Sequence, residues 1–237
     1  MTALPRYSLG LGRRFAPDDR DLSFSASALL PRRLSSRTYR YWYANGWWGD
    51  QGSTSQCVAY SWMHWVEDGP VVQPSAPPPI LDPAILYQEA QKVDEWPGED
   101  YEGTSVRAGA KVLQARGFIS SYYWARSLSE VIEVLLSTGP MTVGTNWYDG
   151  MFSPDADNYL QITGALAGGH AYKLDGVNKR YRHFRMKNSW SRSWGNNGYA
   201  LISFDTFERL LGEDGEACIA TEVKKLPRPG STSRSSA

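Results

Sequence analysis

Thiols are scarce in this chain: only Cys57 and Cys218 occur among its 237 residues. Two cysteines cannot make the dense disulfide framework of a small secreted scaffold, and they fit a reducing compartment better. A Cys57–Cys218 bridge is the remaining alternative. Histidine is equally sparse, at three residues, and no cluster has the spacing of a zinc site, so no metal or organic cofactor is implied. Charge of one sign is missing too, since 25 basic residues balance 25 acidic ones. No global field then selects nucleic acid or an anionic membrane. Long apolar runs are absent: nothing approaches the roughly 18 residues a membrane span requires. Met1 to Arg20 lacks an apolar stretch, which reads as no secretory signal and a cytoplasmic location, with delivery by a phage particle or leaderless export left open.

What is present is a globular composition, 41% hydrophobic and 13% aromatic. Residues 1–35 are irregular and read as an N-terminal strap over a domain spanning 36–225, with a disordered Ser/Pro/Gly/Arg-rich tail at 226–237. Tyr39 to Trp48 is strongly aromatic, reading as extended chain with a turn at its Asn-Gly, and as packing or groove wall. Val58, Trp62, Trp65 and Val66 recur at helical spacing and predict a helix over 55–68. A stiff proline-rich loop follows at 70–83. Further helices are predicted over 83–93 and 104–116, the second behind an N-cap at Thr104, and over 127–137 behind a capping box. After Gly139-Pro140 the pattern changes to strands, over 141–146, 171–177, 183–188, 198–203 and 217–223, with one late helix over 204–211. Helices first and strands second imply an α+β fold with segregated lobes.

Asp50-Gln-Gly-Ser-Thr-Ser-Gln-Cys57-Val-Ala-Tyr-Ser61 places a cysteine at the first turn of a predicted helix. Free backbone N–H groups and the helix dipole favour a thiolate there, the nucleophilic form of sulfur. A buried structural cysteine is the plainer reading. Gln51, in the loop before the helix, is a candidate oxyanion donor together with the Cys57 backbone N–H. Of the three histidines, His64 is two turns or roughly 10 Å along the helix from Cys57, too far to be its partner. His183 reads as a surface residue in a charged strand, Arg180-Tyr-Arg-His-Phe-Arg185. His170 follows Gly168-Gly169, which allow another backbone to come close, and opens a strand. Cys218 reads as a small buried hydrophobe.

The segment around Cys57 resembles the papain family's Gln-Gly-x-Cys-Gly-Ser-Cys-Trp-Ala-Phe-Ser motif. The two align on Gln51, Gly52, Cys57, Ala59, Tyr60 and Ser61. Thr54 stands in place of the family's first cysteine, Ser55-Gln56 in place of Gly-Ser, and Val58 in place of Trp. Lys187-Asn-Ser-Trp-Ser-Arg-Ser-Trp-Gly-Asn-Asn-Gly-Tyr199 is similar to the family's catalytic-asparagine segment over nearly its whole length. The resemblance implies a papain-like two-lobe fold. The helical lobe comes first, an antiparallel sheet or barrel lobe second, and the active-site cleft lies between them.

It implies a catalytic Cys57, a general acid/base His170, an orienting Asn188 and the oxyanion donor Gln51. It implies substrate contacts at Gly103, on an edge that pairs with extended substrate, and at Trp190, which covers the His170–Asn188 bond. His170 lies 113 residues after Cys57, closer than is usual in the family, so the middle loops should be compressed. Family members of lysosomes and secretions carry long inhibitory propeptides. With no room for one before Cys57, the chain resembles leaderless bacterial or bacteriophage members and is expected to be active as made, or activated without removal of a large pro-segment.

The implied reaction is hydrolysis of peptide bonds in peptide or protein substrates through a thioester on Cys57. Two rivals stand beside it. One is a cysteine peptidoglycan amidase, endopeptidase or acyl transferase. The other is a silent papain fold used for binding, which would show a Cys57 thiol of ordinary acidity or weaker.

Overall fold

The computed structural model describes residues 10–42, 46–68 and 82–222. The proline-rich loop, the predicted turn at Asn45-Gly46 and the predicted C-terminal tail fall wholly or largely outside those residues. Five α-helices occur among the described residues: α1 (Cys57–Asp68), α2 (Pro83–Gln91), α3 (Val106–Ala115), α4 (Leu128–Ser137) and α5 (Phe204–Gly212). Seven strands alternate with or follow them: β1 (Tyr39–Tyr41), β2 (Ile119–Ala125), β3 (Met141–Tyr148), β4 (Leu166–Asn178), β5 (His183–Lys187), β6 (Tyr199–Ser203) and β7 (Glu216–Glu222). They form one antiparallel sheet in the order β2-β7-β3-β4-β5-β6, with β1 added to the end of β4.

Each helix start has a local cause. Asp82 caps α2 by accepting from the Ala84 N–H, with Pro83 in the first helical position. Ser105, one residue later than predicted, caps α3 through Ala108 N–H, because its hydroxyl and not that of Thr104 reaches the free amides. Ser127 caps α4 by accepting from Glu130 N–H, while the Glu130 carboxylate reaches back to Arg126 N–H at 2.7 Å.

α1 carries the first lobe. Every residue along it except Tyr60 is buried, the polar Ser61, His64, Glu67 and Asp68 included. Its indole N–H groups find carbonyls inside: Trp62 donates to Val106 at 2.9 Å and Trp65 to Pro140 at 2.9 Å. This core joins α1, α2 and α3 to Trp124, Ala171, Cys218 and Ala220 on the sheet. A second core, with Val134, Val143, Phe184, Trp190 and Phe207, fills the space between the sheet, α4 and α5. The two cores meet along β4, and the helical lobe precedes most of the sheet in the chain, an α+β arrangement of the papain type.

Two local expectations are corrected. Of the charged 180–185 stretch, Arg180, Tyr181 and Arg182 are exposed in a turn, whereas His183 to Arg185 lie on β5 and are covered. The Arg185 guanidinium lies 4.7 Å from the Tyr41 ring and 4.5 Å from that of Tyr199, and donates to Asp175 at 2.7 Å. His183 is buried at 7% exposure, its ring nitrogens paired with the hydroxyls of Tyr41 and Tyr159 at 3.1 and 2.8 Å. β1 and the 155–160 loop cover the face that charge patterning alone assigned to water.

Candidate active site

Cys57 is the first residue of α1, so its sulfur sits at the positive end of the helix dipole. β4 passes in front of it, and the Ala171 N–H donates to Cys57 Sγ at 3.3 Å. That contact brings the preceding residue, His170, to the thiol. β5 ends at Lys187, and the next residue, Asn188, is fixed by its own N–H donating to the Gly198 carbonyl at 3.0 Å. His170 Nε2 then donates to Asn188 Oδ1 at 2.8 Å. The same Oδ1 accepts from Ser189 N–H at 2.8 Å. With Nε2 carrying the hydrogen, Nδ1 is left as the basic nitrogen, and it is buried without a hydrogen-bond partner. The structure therefore brings Cys57, His170 and Asn188 together. All three are fully buried.

Trp190 stacks on the His170 ring, centroids 4.5 Å apart at 25°. Trp147 meets the same ring edge-on at 4.7 Å. The two indoles wall off the imidazole and keep water from its bond to Asn188. Burial pushes the Cys57 thiol up to about 12, offset only partly by the N–H groups of Ala171 and Val58. Burial also pulls His170 down to about 4, against the bond to Asn188. The pair as it stands is a neutral thiol beside a neutral imidazole.

The burial has an identifiable source. Residues 10–14 of the strap run through the cleft instead of over the outer surface. Arg14 N–H donates to the Thr104 carbonyl at 2.9 Å, and Thr104 N–H to the Gly12 carbonyl at 2.9 Å. On the opposite wall Gly12 and Arg13 N–H both donate to the Gly169 carbonyl at 3.0 Å. The strap lies so close that a β-carbon at Gly169 would run into the Arg13 carbonyl.

Gln51 is where the sequence placed it, but its amide is engaged elsewhere than at the sulfur. Nε2 donates to the Gly10 carbonyl at 3.0 Å and to Thr54 at 2.7 Å, while Oε1 accepts from Ser189 Oγ at 2.5 Å. Trp190 Nε1 donates to the same Gly10 carbonyl at 3.0 Å. A strap peptide oxygen thus sits where Gln51 offers its N–H. Gly103 is at the cleft edge, as expected, but the pairing with extended chain is made by Thr104. Gly103 N–H points instead to the Tyr87 hydroxyl at 2.8 Å, and its missing side chain leaves room for the Gly12 carbonyl.

His64 is buried on α1 against Trp47 and Trp48 and takes no part in the site. Cys57 and Cys218 are both free, so no bridge joins them, and Cys218 is buried on β7. Sequence reasoning missed Gly10, Arg13 and Ser189, which only tertiary pairing places at the site. Among the described residues no cluster of side chains can hold a metal ion. No helix among them is long and apolar enough to cross a membrane.

The fold and the meeting of a helix-start thiol with a sheet-borne imidazole–amide pair define a papain-like protein. A family model described as papain family cysteine protease matches residues 84–221, more than half of the chain, and the chain belongs to that family. The matched stretch holds His170 and Asn188 and begins after Cys57. Among curated relatives, it is similar to cathepsin B-like cysteine proteinase 6 of Caenorhabditis elegans. The two are 25% identical over 158 residues, 60% of this chain and 42% of the relative. It is 32% identical over 93 residues to cathepsin B-like cysteine proteinase 5 of the same organism, 38% of this chain and 27% of that protein. The chain thus spans less than half the length of these relatives. In fold it resembles xylellain, a cysteine protease from Xylella fastidiosa, with a TM-score of 0.66 at 18% identity, covering 94% of this chain and all of that one. It also resembles procathepsin L2 from Tenebrio molitor larval midgut, with a TM-score of 0.64 at 18% identity, covering 91% and 78% of the two chains.

Proposed function

We propose that this chain is a cysteine-type peptidase that hydrolyses peptide bonds in peptide or protein substrates and is closed at rest by residues 10–14. The observation that carries the reading is the His170 Nε2–Asn188 Oδ1 bond of 2.8 Å with Cys57 Sγ bonded one residue away at Ala171 N–H. Nδ1 of His170 takes the Cys57 proton as the sulfur attacks the substrate carbonyl. The imidazolium that forms is held by Asn188, and the oxyanion is met by Gln51 Nε2 and the Cys57 N–H. His170 gives its proton to the leaving amine. A water then attacks the thioester with His170 as base, releasing the acid and restoring the thiol.

Gln51 and Trp190 supporting the Gly10 carbonyl favour this assignment, because they already hold a peptide oxygen. The closed strap also reconciles a thiol held near 12 with a thiol enzyme: removing the strap restores solvent and lowers the cost of the ion pair. The closed strap makes opening of residues 10–14, without removal of a large pro-segment, the activating step. Two free thiols suit a reducing, cytoplasmic setting.

The test is digestion of a mixed peptide library under reducing conditions, read by mass spectrometry, with the native chain beside Cys57→Ala. The expected result is slow cleavage by the native chain that the mutant lacks entirely. Cleavage that survives in the mutant would remove Cys57 from the chemistry.

A further inference from the structure

The chain is neutral overall, but its cations are not evenly spread. Two runs, 31–42 and 178–185, hold eight of the 25 Lys and Arg residues and no Asp or Glu. They lie far apart in sequence, and the fold lays them side by side. β1 pairs antiparallel with the end of β4, Tyr39 opposite Asn178, and the Lys179 N–H donates to the Thr38 carbonyl at 2.7 Å. The chain then turns at 179–182 before it enters β5. Arg37, Lys179, Arg180 and Arg182 are exposed there. Arg40 is half-buried beside them and donates to the Leu136 carbonyl at 3.2 Å.

These cations are only partly answered. Glu133 Oε1 stands 4.0 Å from Lys179 Nζ, and Asp205 pairs with Arg182 at 2.7 Å. Arg40 is pulled down from its ordinary value by burial and then by the charge of Arg37. Neighbouring like charges repel, and an anion from outside the chain relieves them. The surface between them is amphipathic: Leu34, Tyr39 and Tyr181 are 68, 61 and 63% exposed. Ser35 N–H donates to the same Glu133 carboxylate at 3.1 Å, which sets Leu34 at the border of the patch.

The aromatic rings decide which polyanion fits. A single nucleic acid strand needs ring faces free for its bases to stack on. Here the Arg185 guanidinium lies 4.7 Å from the Tyr41 ring centroid, and Tyr181 lies flat against His183 at 15° with Arg180 at 5.6 Å. An anionic lipid surface asks for several cations, an exposed aliphatic side chain, and tyrosines that can sit in the headgroup layer. This patch has all three. It also stands at the far end of β4 from the cleft, since roughly 25 Å of extended chain separate Asn178 from His170. We propose that the surface formed by Arg37, Tyr39, Arg40, Lys179, Arg180 and Tyr181 docks reversibly on an anionic phospholipid membrane, leaving the cleft clear of the lipid. The proposal goes beyond the peptidase reading and does not depend on it.

The experiment sediments the full chain with vesicles of phosphatidylcholine alone, or of phosphatidylcholine and phosphatidylserine in equal parts. Beside it run Arg37→Gln/Arg180→Gln and a control, Lys92→Gln/Arg126→Gln, which removes the same charge from exposed positions elsewhere. Binding to the phosphatidylserine vesicles and not to the neutral ones is expected, and added salt should release it. Each Lys or Arg at an anionic surface contributes about fivefold to partitioning, so the first pair should lower it about 25-fold. The control pair should lower it by less than about threefold, because its charges lie away from the lipid. All four side chains lie outside the catalytic machinery, so alkylation of Cys57 by iodoacetamide should run at one rate in all three proteins. No sedimentation with phosphatidylserine, or an equal loss in the control pair, would overturn the docking site. Capture of a single-stranded oligonucleotide where the vesicles bind nothing would overturn it too, and would reassign the patch to nucleic acid.

Discussion

Asn188 illustrates how much of the site is set one residue at a time. Its backbone is pinned to Gly198 and its Oδ1 accepts from both His170 Nε2 and Ser189 N–H, so it presents a fixed acceptor to the imidazole. The bond becomes charge-assisted when His170 is protonated, which is when it stabilises the reacting state more than the resting one. Asn188→Ala should therefore lower kcat by about ten- to a hundredfold, the effect of losing about 1.5–3 kcal/mol of a hydrogen bond to a charged group. KM should change little. Steady-state kinetics on a good peptide from the library checks it, and an unaltered kcat would sink the orienting role. The trio was legible in the sequence because each member sits in a local motif. Ser189 was not, because what makes it matter is an oxygen arriving from elsewhere in the chain.

At the scale of elements, the helices and most strands could be read from periodicity and caps. β2 could not: it begins and ends buried but is only partly covered between, so Ile119 to Ala125 shows no clean alternation. The strap was legible only as irregular chain. Its course is written in hydrogen bonds to Gly52, Thr104 and Gly169 on the two walls, none of which leaves a periodic trace in residues 10–14. Gly12 is where that course is most exacting. It has φ of +125°, and a β-carbon there would strike the Ser55 backbone. Gly12→Ala should therefore loosen the strap by driving it off the Ser55 backbone. A strain of about 1–3 kcal/mol corresponds to roughly five- to 150-fold more of the open form. Alkylation of Cys57 by iodoacetamide at neutral pH should speed up by that factor, measured by intact mass. An unchanged rate would mean the strap does not govern access to the thiol.

The whole molecule buries three histidines, and burial lowers each of them: His170 to about 4, His64 well below its ordinary range with Lys187 and Lys173 adding to the effect, and His183 by burial alone. Sequence reasoning assigned only His170 an interior position, because long-range packing of Trp47, Trp48, Tyr41 and Tyr159 encloses the other two. A group whose folded pKa is depressed contributes stability that is present above its unfolded value, about 6.5 for histidine, and lost as the pH falls through the folded value. All three histidines therefore act in one direction between pH 6.5 and 4. His170 alone is worth on the order of 3 kcal/mol across that window. Glu216 acts the other way, since its raised carboxyl favours the folded state as acid is added, but it is one group against three and is offset by Arg13. Stability should thus decline steadily from pH 7 to pH 4.5, with a net uptake of one to three protons on unfolding. Urea midpoints taken at half-unit steps measure it. A midpoint that stays level or rises with acid would mean that the imidazoles, His170 included, are not held neutral in the folded protein, and the dry, strap-covered site described above would not exist in solution.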